Sequence, residues 1–166
     1  MLTDLVQIRR LGARKEKENK RFRAYLKKQA PKRRLRELAE EIHEQIDCRT
    51  CANCCREGEA AVTPRDVEKL ANLFRLSRED FRARFTMRGI DNDLILKRTD
   101  EEGCIFLKDN LCTVYEARPI SCSGYPHLKD RSISFERRMI TMPERATYCP
   151  IVYNWAEAAK KETGFR

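Results

Sequence analysis

The 166-residue chain has no run near the ~18 consecutive apolar residues that a membrane-spanning helix requires. Its N-terminus lacks the apolar core and small-residue cleavage site of a secretory signal peptide. It also has no Gly-rich phosphate loop, no Ser-His-Asp order and no His-Glu-x-x-His motif, which argues against common nucleotide-binding, hydrolase and zinc-protease classes. We therefore expect a cytoplasmic protein without a membrane span.

Charge is abundant and unevenly distributed. Charged residues make up 37% of the chain and the formal net charge is +9. Residues 9–36 hold fourteen basic side chains and only two acidic ones, so the excess positive charge belongs to this segment. Such a segment either binds nucleic acid or an acidic protein, or forms a solvated helix face. Phe22 and Tyr25 interrupt it, and they either stack on bases or dock the helix onto the protein.

Eight cysteines are the second unusual feature, and four of them lie within eight residues. The cysteine fraction of the chain is below the roughly 8–10% that is typical of a disulfide scaffold. Because cytosolic thiols stay reduced, we favour metal or cluster binding over disulfides and over isolated buried thiols. The candidate metal ligands are Cys48, Cys51, Cys54, Cys55, Cys104, Cys112, Cys122 and Cys149.

The Cys-x-x-Cys spacing occurs twice in tandem, from Cys48 to Cys51 and from Cys51 to Cys54. Each such turn places two thiolates close enough to share a metal ion about 2.3 Å from each sulfur. Adjacent side chains tend to point apart, so we expect Cys55 to bind a second metal, to act as a redox thiol or to pack in the core. Four thiolates suit zinc and also iron–sulfur clusters, so the cofactor is either one. Eight sulfurs allow two four-coordinate sites, or one site and spare thiols.

Apolar residues recur at helical spacing in three places. One helix is predicted over residues 32–46, one after the capping sequence Thr63-Pro64-Arg65-Asp66, and one after Cys149-Pro150. A further helix is predicted to start at Ser77. The predicted buried positions are Leu35, Leu38, Ala39, Ile42, Ile46, Val67, Leu70, Ala71, Phe74, Val152, Trp155, Ala156 and Ala159.

Short β-structure is predicted between these helices. Residues 94–97 favour a strand, and residues 104–107 and 111–115 flank a hairpin turn. Cys104 and Cys112 would then lie on opposite arms of one hairpin and face a shared site. The predicted fold is mainly α with a small β-hairpin (α+β). A basic helical arm (residues 1–36) precedes a metal-stapled cysteine-cluster domain (residues 37–166).

Five motifs occur in a defined order: Cys48-x₂-Cys51-x₂-Cys54-Cys55, Gly103–Leu107, Leu111–Tyr115, Arg118–Cys122 and Cys149-Pro150. In this order they resemble the YkgJ-type CxxCxxCC cysteine-cluster family over about residues 48–152. The resemblance implies a domain that chelates zinc or iron or holds an iron–sulfur cluster. A related cysteine region occurs in flagellin lysine N-methylases, so it also allows iron–sulfur oxidoreductase or methyltransferase-related chemistry.

The chain departs from this family at two positions. The family usually has Gly before the Cys-Cys pair, where this chain has Asn53. Asn tolerates the left-handed conformation better than most residues, so we expect the turn to survive. His127 replaces an aromatic residue and is a nitrogen ligand, a proton donor near the site or a solvent-facing loop histidine.

Tyr115 and Arg118 are the candidate cofactor-binding residues. They either close over the cluster and donate to its sulfurs, or fix the chain bend at Pro119. The predicted function is metal binding through the clustered cysteines, with a redox or metal-handling role. The alternative is a metal-stabilised module that binds nucleic acid or an acidic protein through residues 9–36.

Overall fold

The computed structural model describes residues 1–29, 31–128 and 134–166. Within these ranges the chain forms two compact units: Met1–Asp47 with Pro126–Arg166, and Cys48–Tyr125. Helices dominate and short antiparallel strand pairs accompany them, which confirms the predicted mainly α fold with small β-structure. No helix in the described ranges has both the length and the apolar character needed to cross a membrane.

The described part of the chain contains helices and short strands. The helices are α1 (Leu5–Arg14), α2 (Glu16–Gln29), α3 (Lys32–Glu44), α4 (Cys48–Cys51), α5 (Asn53–Glu57), α6 (Pro64–Phe74), α7 (Arg78–Phe85), α8 (Ile120–Ser123), α9 (Phe135–Met139), α10 (Met142–Arg145) and α11 (Pro150–Glu162). The strands are β1 (Thr86–Arg88), β2 (Leu94–Leu96), β3 (Arg98–Thr99), β4 (Gly103–Cys104), β5 (Leu107–Lys108) and β6 (Leu111–Cys112). A 3₁₀ turn covers Tyr115–Ala117.

The first unit is built on the packing of α3 against α11. Both helices turn the predicted apolar stripes inward, because a 3.6-residue period places these side chains on one face. Trp155 is 1% exposed, and its indole Nε1–H donates to the Leu35 carbonyl at 2.9 Å. The stripe positions confirmed as buried are Leu35, Leu38, Ala39, Ile42, Ile46, Val152, Trp155, Ala156 and Ala159.

The aromatic residues of the basic segment dock α2 within the first unit. Phe22 is fully buried, and its ring centroid lies 5.1 Å from that of Phe165. The Tyr25 hydroxyl donates to the Thr163 carbonyl at 2.9 Å. The described units divide the chain after residues 47 and 125. The division into a basic helical arm (residues 1–36) and a cysteine-cluster domain (residues 37–166) stays a prediction.

The second unit begins its main helix, α6, with the predicted capping sequence. Thr63 Oγ1 accepts from the Asp66 amide at 3.2 Å, and Asp66 Oδ2 accepts from the Thr63 amide at 2.9 Å. Pro64 occupies the first turn, where its missing N–H costs nothing. Ser77 caps α7 in the same way, accepting from the Asp80 amide. Both predicted helix starts are confirmed.

One buried position of α6 was predicted wrongly. Val67, Leu70 and Ala71 are buried as expected, but Phe74 is 37% exposed. Phe74 is the last residue of α6, so its ring covers the edge of the core instead of entering it. It stacks on Phe106 with a centroid separation of 5.5 Å.

The strands form three separate antiparallel pairs: β1 with β2, β3 with β4, and β5 with β6. The predicted hairpin turn is present, because Asp109 and Asn110 adopt positive φ angles of 48° and 64° between β5 and β6. The prediction that Cys104 belongs to the same hairpin as Cys112 is wrong. The two-residue turn at Asp109-Asn110 pairs only β5 with β6. Cys104 lies outside that hairpin, in β4, where it pairs with Arg98 of β3.

Candidate metal centre

The CxxCxxCC segment folds as two short helices, α4 and α5, that meet at Ala52. Ala52 adopts the left-handed conformation (φ 47°), and its amide donates to the Cys48 carbonyl at 3.1 Å. The turn therefore survives without glycine, but not through Asn53 as expected. Asn53 is instead the buried first residue of α5.

The two helices pack against the strands that carry the later cysteines. In the second unit, α5 packs on β4 and α4 packs on β6. Gly103 makes the first contact possible, since it has a φ of 77°. A Cβ atom there would lie 2.6 Å from the Cys55 carbonyl oxygen and 2.7 Å from the Arg56 Cα. Only glycine combines this backbone conformation with this close approach.

Four thiols from four chain segments of the second unit lie close enough for their charges to influence one another. They belong to Cys55 on α5, Cys104 on β4, Cys112 on β6 and Cys122 on α8. Ionisation of Cys55 or Cys112 would raise the pKa of Cys104 further. Ionisation of Cys55, Cys104 or Cys112 would likewise raise the pKa of Cys122. These four residues form the central thiol cluster.

The thiols of this cluster differ in acidity. Burial raises the pKa values of Cys104 and Cys122 to about 11, and it also raises the pKa of Cys112. A hydrogen bond from Cys54 lowers the pKa of Cys55 to about 7, and the charges of Arg56 and Arg118 act in the same direction. Of these four thiols, Cys55 therefore ionises most readily, and the other three hold their protons to higher pH.

Two arginines near the sulfurs were not predicted. Arg56 donates through Nη1 to the Cys51 carbonyl at 3.2 Å and through Nη2 to the Asn110 side chain. Arg98 donates through Nη2 to the Arg56 carbonyl at 2.9 Å. The position of Arg56 directly after the Cys-Cys pair was the available sequence signal. Arg98 had no such signal, because only the β3–β4 pairing brings it to Cys104.

Arg118 acts on the central thiol cluster through its charge, and its side chain contacts Tyr115. Its guanidinium carbon lies 3.5 Å from the Tyr115 ring centroid, and its Nε donates to the Tyr115 carbonyl at 2.8 Å. The positive charge of Arg118 acts to lower the pKa values of Cys55 and Cys112. Donation by either side chain to a bound cofactor stays a prediction.

Asp66 links the α6 cap to the helix that carries Cys122. Its Oδ1 accepts from the Ile120 amide at 3.1 Å, while Oδ2 completes the capping box. Ser121 adds a second connection by donating from Oγ to the Ala61 carbonyl at 2.7 Å. The position of Cys122 thus depends on a polar anchor that the sequence marked only as a helix cap.

The remaining cysteines are divided between the units. Cys48, Cys51 and Cys54 are half-buried on α4 and α5 in the second unit, with the central thiol cluster. Cys149 is buried at the N-cap of α11 in the first unit, which also contains His127. All eight cysteines lie in the described part of the chain, and no disulfide joins any two of them. The metal-ligand role of each stays a prediction.

The donor set fits a thiolate-binding metal. Within residues 1–29, 31–128 and 134–166, no three Cys, His, Asp or Glu side chains are already arranged around one point as ligands of an ion. The second unit nevertheless gathers seven sulfurs, and soft thiolate ligands select zinc and iron–sulfur clusters over hard cations such as magnesium. The residues present can therefore supply a four-thiolate site.

Comparison with known proteins agrees with this donor chemistry. No significant match was found among curated proteins or among solved structures. A family model described as "CxxCxxCC: Putative zinc- or iron-chelating domain" matches residues 47–150. That match spans more than half of the chain and includes all eight cysteines. The chain therefore belongs to the CxxCxxCC family, whose description supports metal binding.

Proposed function

We propose that this protein binds zinc or an iron–sulfur cluster, with Cys55, Cys104, Cys112 and Cys122 as the central ligands. The observation that carries the proposal is the electrostatic coupling of these four thiols, which come from four short chain segments of the second unit. Thiols dispersed through an apolar interior would not be coupled in this way. Four thiolates satisfy the tetrahedral preference of zinc and equally satisfy a [2Fe–2S] or [4Fe–4S] cluster.

The short elements around the cluster support a structural role for the metal. Each of the strands β4, β5 and β6 has two residues, and α5 and α8 have five and four. Such elements are marginal alone, because few hydrogen bonds offset the entropy lost on ordering them. Metal–sulfur bonds would tie the four segments together. The bound metal would therefore contribute directly to the folding free energy of this region.

The nearby arginines suit a thiolate centre. Four thiolates around Zn²⁺ carry a formal charge of about −2, and such a charge needs compensation when it is partly buried. Arg56 and Arg118 already act on the central thiol cluster through their positive charges. We propose that they keep this compensating role when the metal is bound, as outer residues of metal sites commonly do.

Metal content and colour test the proposal directly. Protein purified without oxygen is analysed for zinc, iron and acid-labile sulfide, and its absorption spectrum is recorded. We expect at least one zinc ion or one iron–sulfur cluster per chain. A coloured protein that bleaches on reduction would support the redox role, and a colourless zinc protein would exclude it. A folded protein that retains neither metal would contradict the proposal.

Single substitutions test the ligand assignment. Cys104→Ser and Cys112→Ser should each lower metal affinity at least tenfold, because each removes a thiolate from the central thiol cluster. Cys149→Ser is the matched comparison in the first unit. It decides whether Cys149 is a ligand, as the resemblance predicts. Loss of metal from Cys149→Ser alone, with the other two variants fully loaded, would contradict the assignment.

A further inference from the structure

The outer face of α2 is formed almost entirely by cations. Lys17, Lys20, Arg21, Lys27 and Lys28 are all exposed, and their spacing places them on one side of the helix. The small Ala24 lies among these cations, and Glu16 borders them at the start of the helix. We call the five cations and Ala24 the basic face of α2. From Lys17 to Lys28 the face extends about 16 Å at 1.5 Å per residue.

The two acidic residues of α2 do not neutralise this face. Glu18 pairs with the buried Lys160 of α11, with Nζ 2.6 Å from Oε1, and so serves the interior of the first unit. Glu16 pairs with Lys20 at the start of the helix, and both side chains are solvent-exposed. An exposed pair of this kind contributes about 1 kcal/mol or less and competes weakly with a polyanion. Lys17, Lys27 and Lys28 form no ion pair within the described part of the chain.

The apolar side of α2 is already covered, which limits the class of partner. Phe22 and Leu26 are at most 1% exposed within the first unit. An interfacial helix needs a free apolar face to enter a membrane, and α2 has none to offer. A protein interface needs a buried apolar or aromatic centre, and Ala24 cannot provide one.

The burial of the aromatic rings of α2 also favours duplex over single-stranded nucleic acid as the partner. Proteins that bind single strands stack bases on exposed aromatic rings. The aromatic rings of α2 are turned inward: Phe22 is fully buried, and Tyr25 packs on Phe165 at a centroid separation of 5.4 Å. Duplex DNA carries one negative charge per ~1.7 Å of its axis, so it presents about ten charges along the length of this face.

We propose that the basic face of α2 binds the phosphate backbone of double-stranded nucleic acid without reading its sequence. At about 1.5 Å of rise per residue, five cations on a face of about 16 Å match a dense line of phosphates. Contacts of cations with phosphates position a protein on the duplex and carry no sequence information. This site is separate from the proposed metal centre and does not depend on it.

Salt dependence of binding to a labelled 20-base-pair DNA duplex tests this proposal. With five phosphate contacts, log K should fall against log salt with a slope of about −4 to −5, and equally for two unrelated sequences. The full-length variant Lys17→Gln/Lys27→Gln/Lys28→Gln should reduce the slope to about −2 and weaken binding on the order of 10²-fold at 0.1 M salt. Circular dichroism checks that the variant remains folded.

The matched control removes three exposed arginines of the second unit, as Arg65→Gln/Arg82→Gln/Arg84→Gln. It lowers the net charge equally and should leave the slope and the affinity within about twofold of the original protein. Equal weakening by both triple variants would overturn the proposal. So would tighter binding to single-stranded DNA, to polyglutamate or to phosphatidylserine vesicles than to the duplex.

Discussion

The two units of this protein achieve order by different means. In the described part of the chain, the first unit contains four helices of 10 to 14 residues beside two shorter ones, and large apolar side chains such as Trp155 and Phe22 are buried in it. The second unit has an apolar core around Phe81, but its other side consists of elements of two to five residues that carry seven cysteines. Buried apolar side chains stabilise the first unit, whereas we propose that metal–sulfur bonds add to burial in the second.

Metal removal should give the largest difference between the units. If the proposed metal ties the cysteine segments together, a chelator should raise amide hydrogen exchange in α5, β4, β6 and α8 on the order of 10²-fold. Helices α3 and α11 should change less than about twofold. Mass spectrometry of exchanged peptides measures both regions in one sample. Equal loss of protection in both units would contradict the comparison.

Trp155→Ala should give a large effect that does not involve the metal. It removes a fully buried indole and its hydrogen bond to Leu35, at a cost of about 3–5 kcal/mol in the free energy of unfolding. Urea unfolding followed by circular dichroism measures the loss. Val6→Ala, at a residue 79% exposed, is the control and should cost less than about 0.5 kcal/mol. Metal loss from folded Trp155→Ala would contradict the separation between the units.

Acid should have the smallest effect, through Glu157 of the first unit. Burial acts to raise the pKa of Glu157, but hydrogen bonds from Lys15 and Lys160 outweigh it and hold the pKa below its usual value. The stabilisation is therefore complete above the unfolded-state pKa of about 4.3 and is lost as the pH falls through the lower folded-state value. The expected loss is about 1 kcal/mol.

Trp155 fluorescence measures this effect, since it is the only tryptophan and lies in the first unit. Urea unfolding between pH 6 and pH 3 should show a steeper loss of stability for the original protein than for Glu157→Gln. Identical pH profiles for the two proteins would show that Glu157 contributes no such linkage.

Local patterns predicted the regular elements well. The apolar stripes of α3 and α11 and the Thr63 cap depend on residues within one or two helical turns, so they can be identified without tertiary information. The Asp109-Asn110 turn is equally local. Phe74 was predicted wrongly because helical period alone does not show where α6 ends relative to the core.

The candidate site was predicted less completely. Residue type identified the cysteines, and the order of motifs predicted the family to which the chain belongs. Strand pairing could not be inferred from the sequence, so Cys104 was assigned to the wrong hairpin. The contribution of Arg98 depends on that same pairing, and the second role of Asp66 depends on the position of α8.

The sequence by itself determined the available donor atoms, the capped starts of α6 and α7 and the concentration of positive charge in residues 9–36. These features are fixed by side-chain identity and by spacing over a few residues. Tertiary structure decided which thiols influence one another, which cations act on them and which face of α2 stays open to solvent. These outcomes require residues far apart in the chain to meet, and their contact depends on the packing of whole elements.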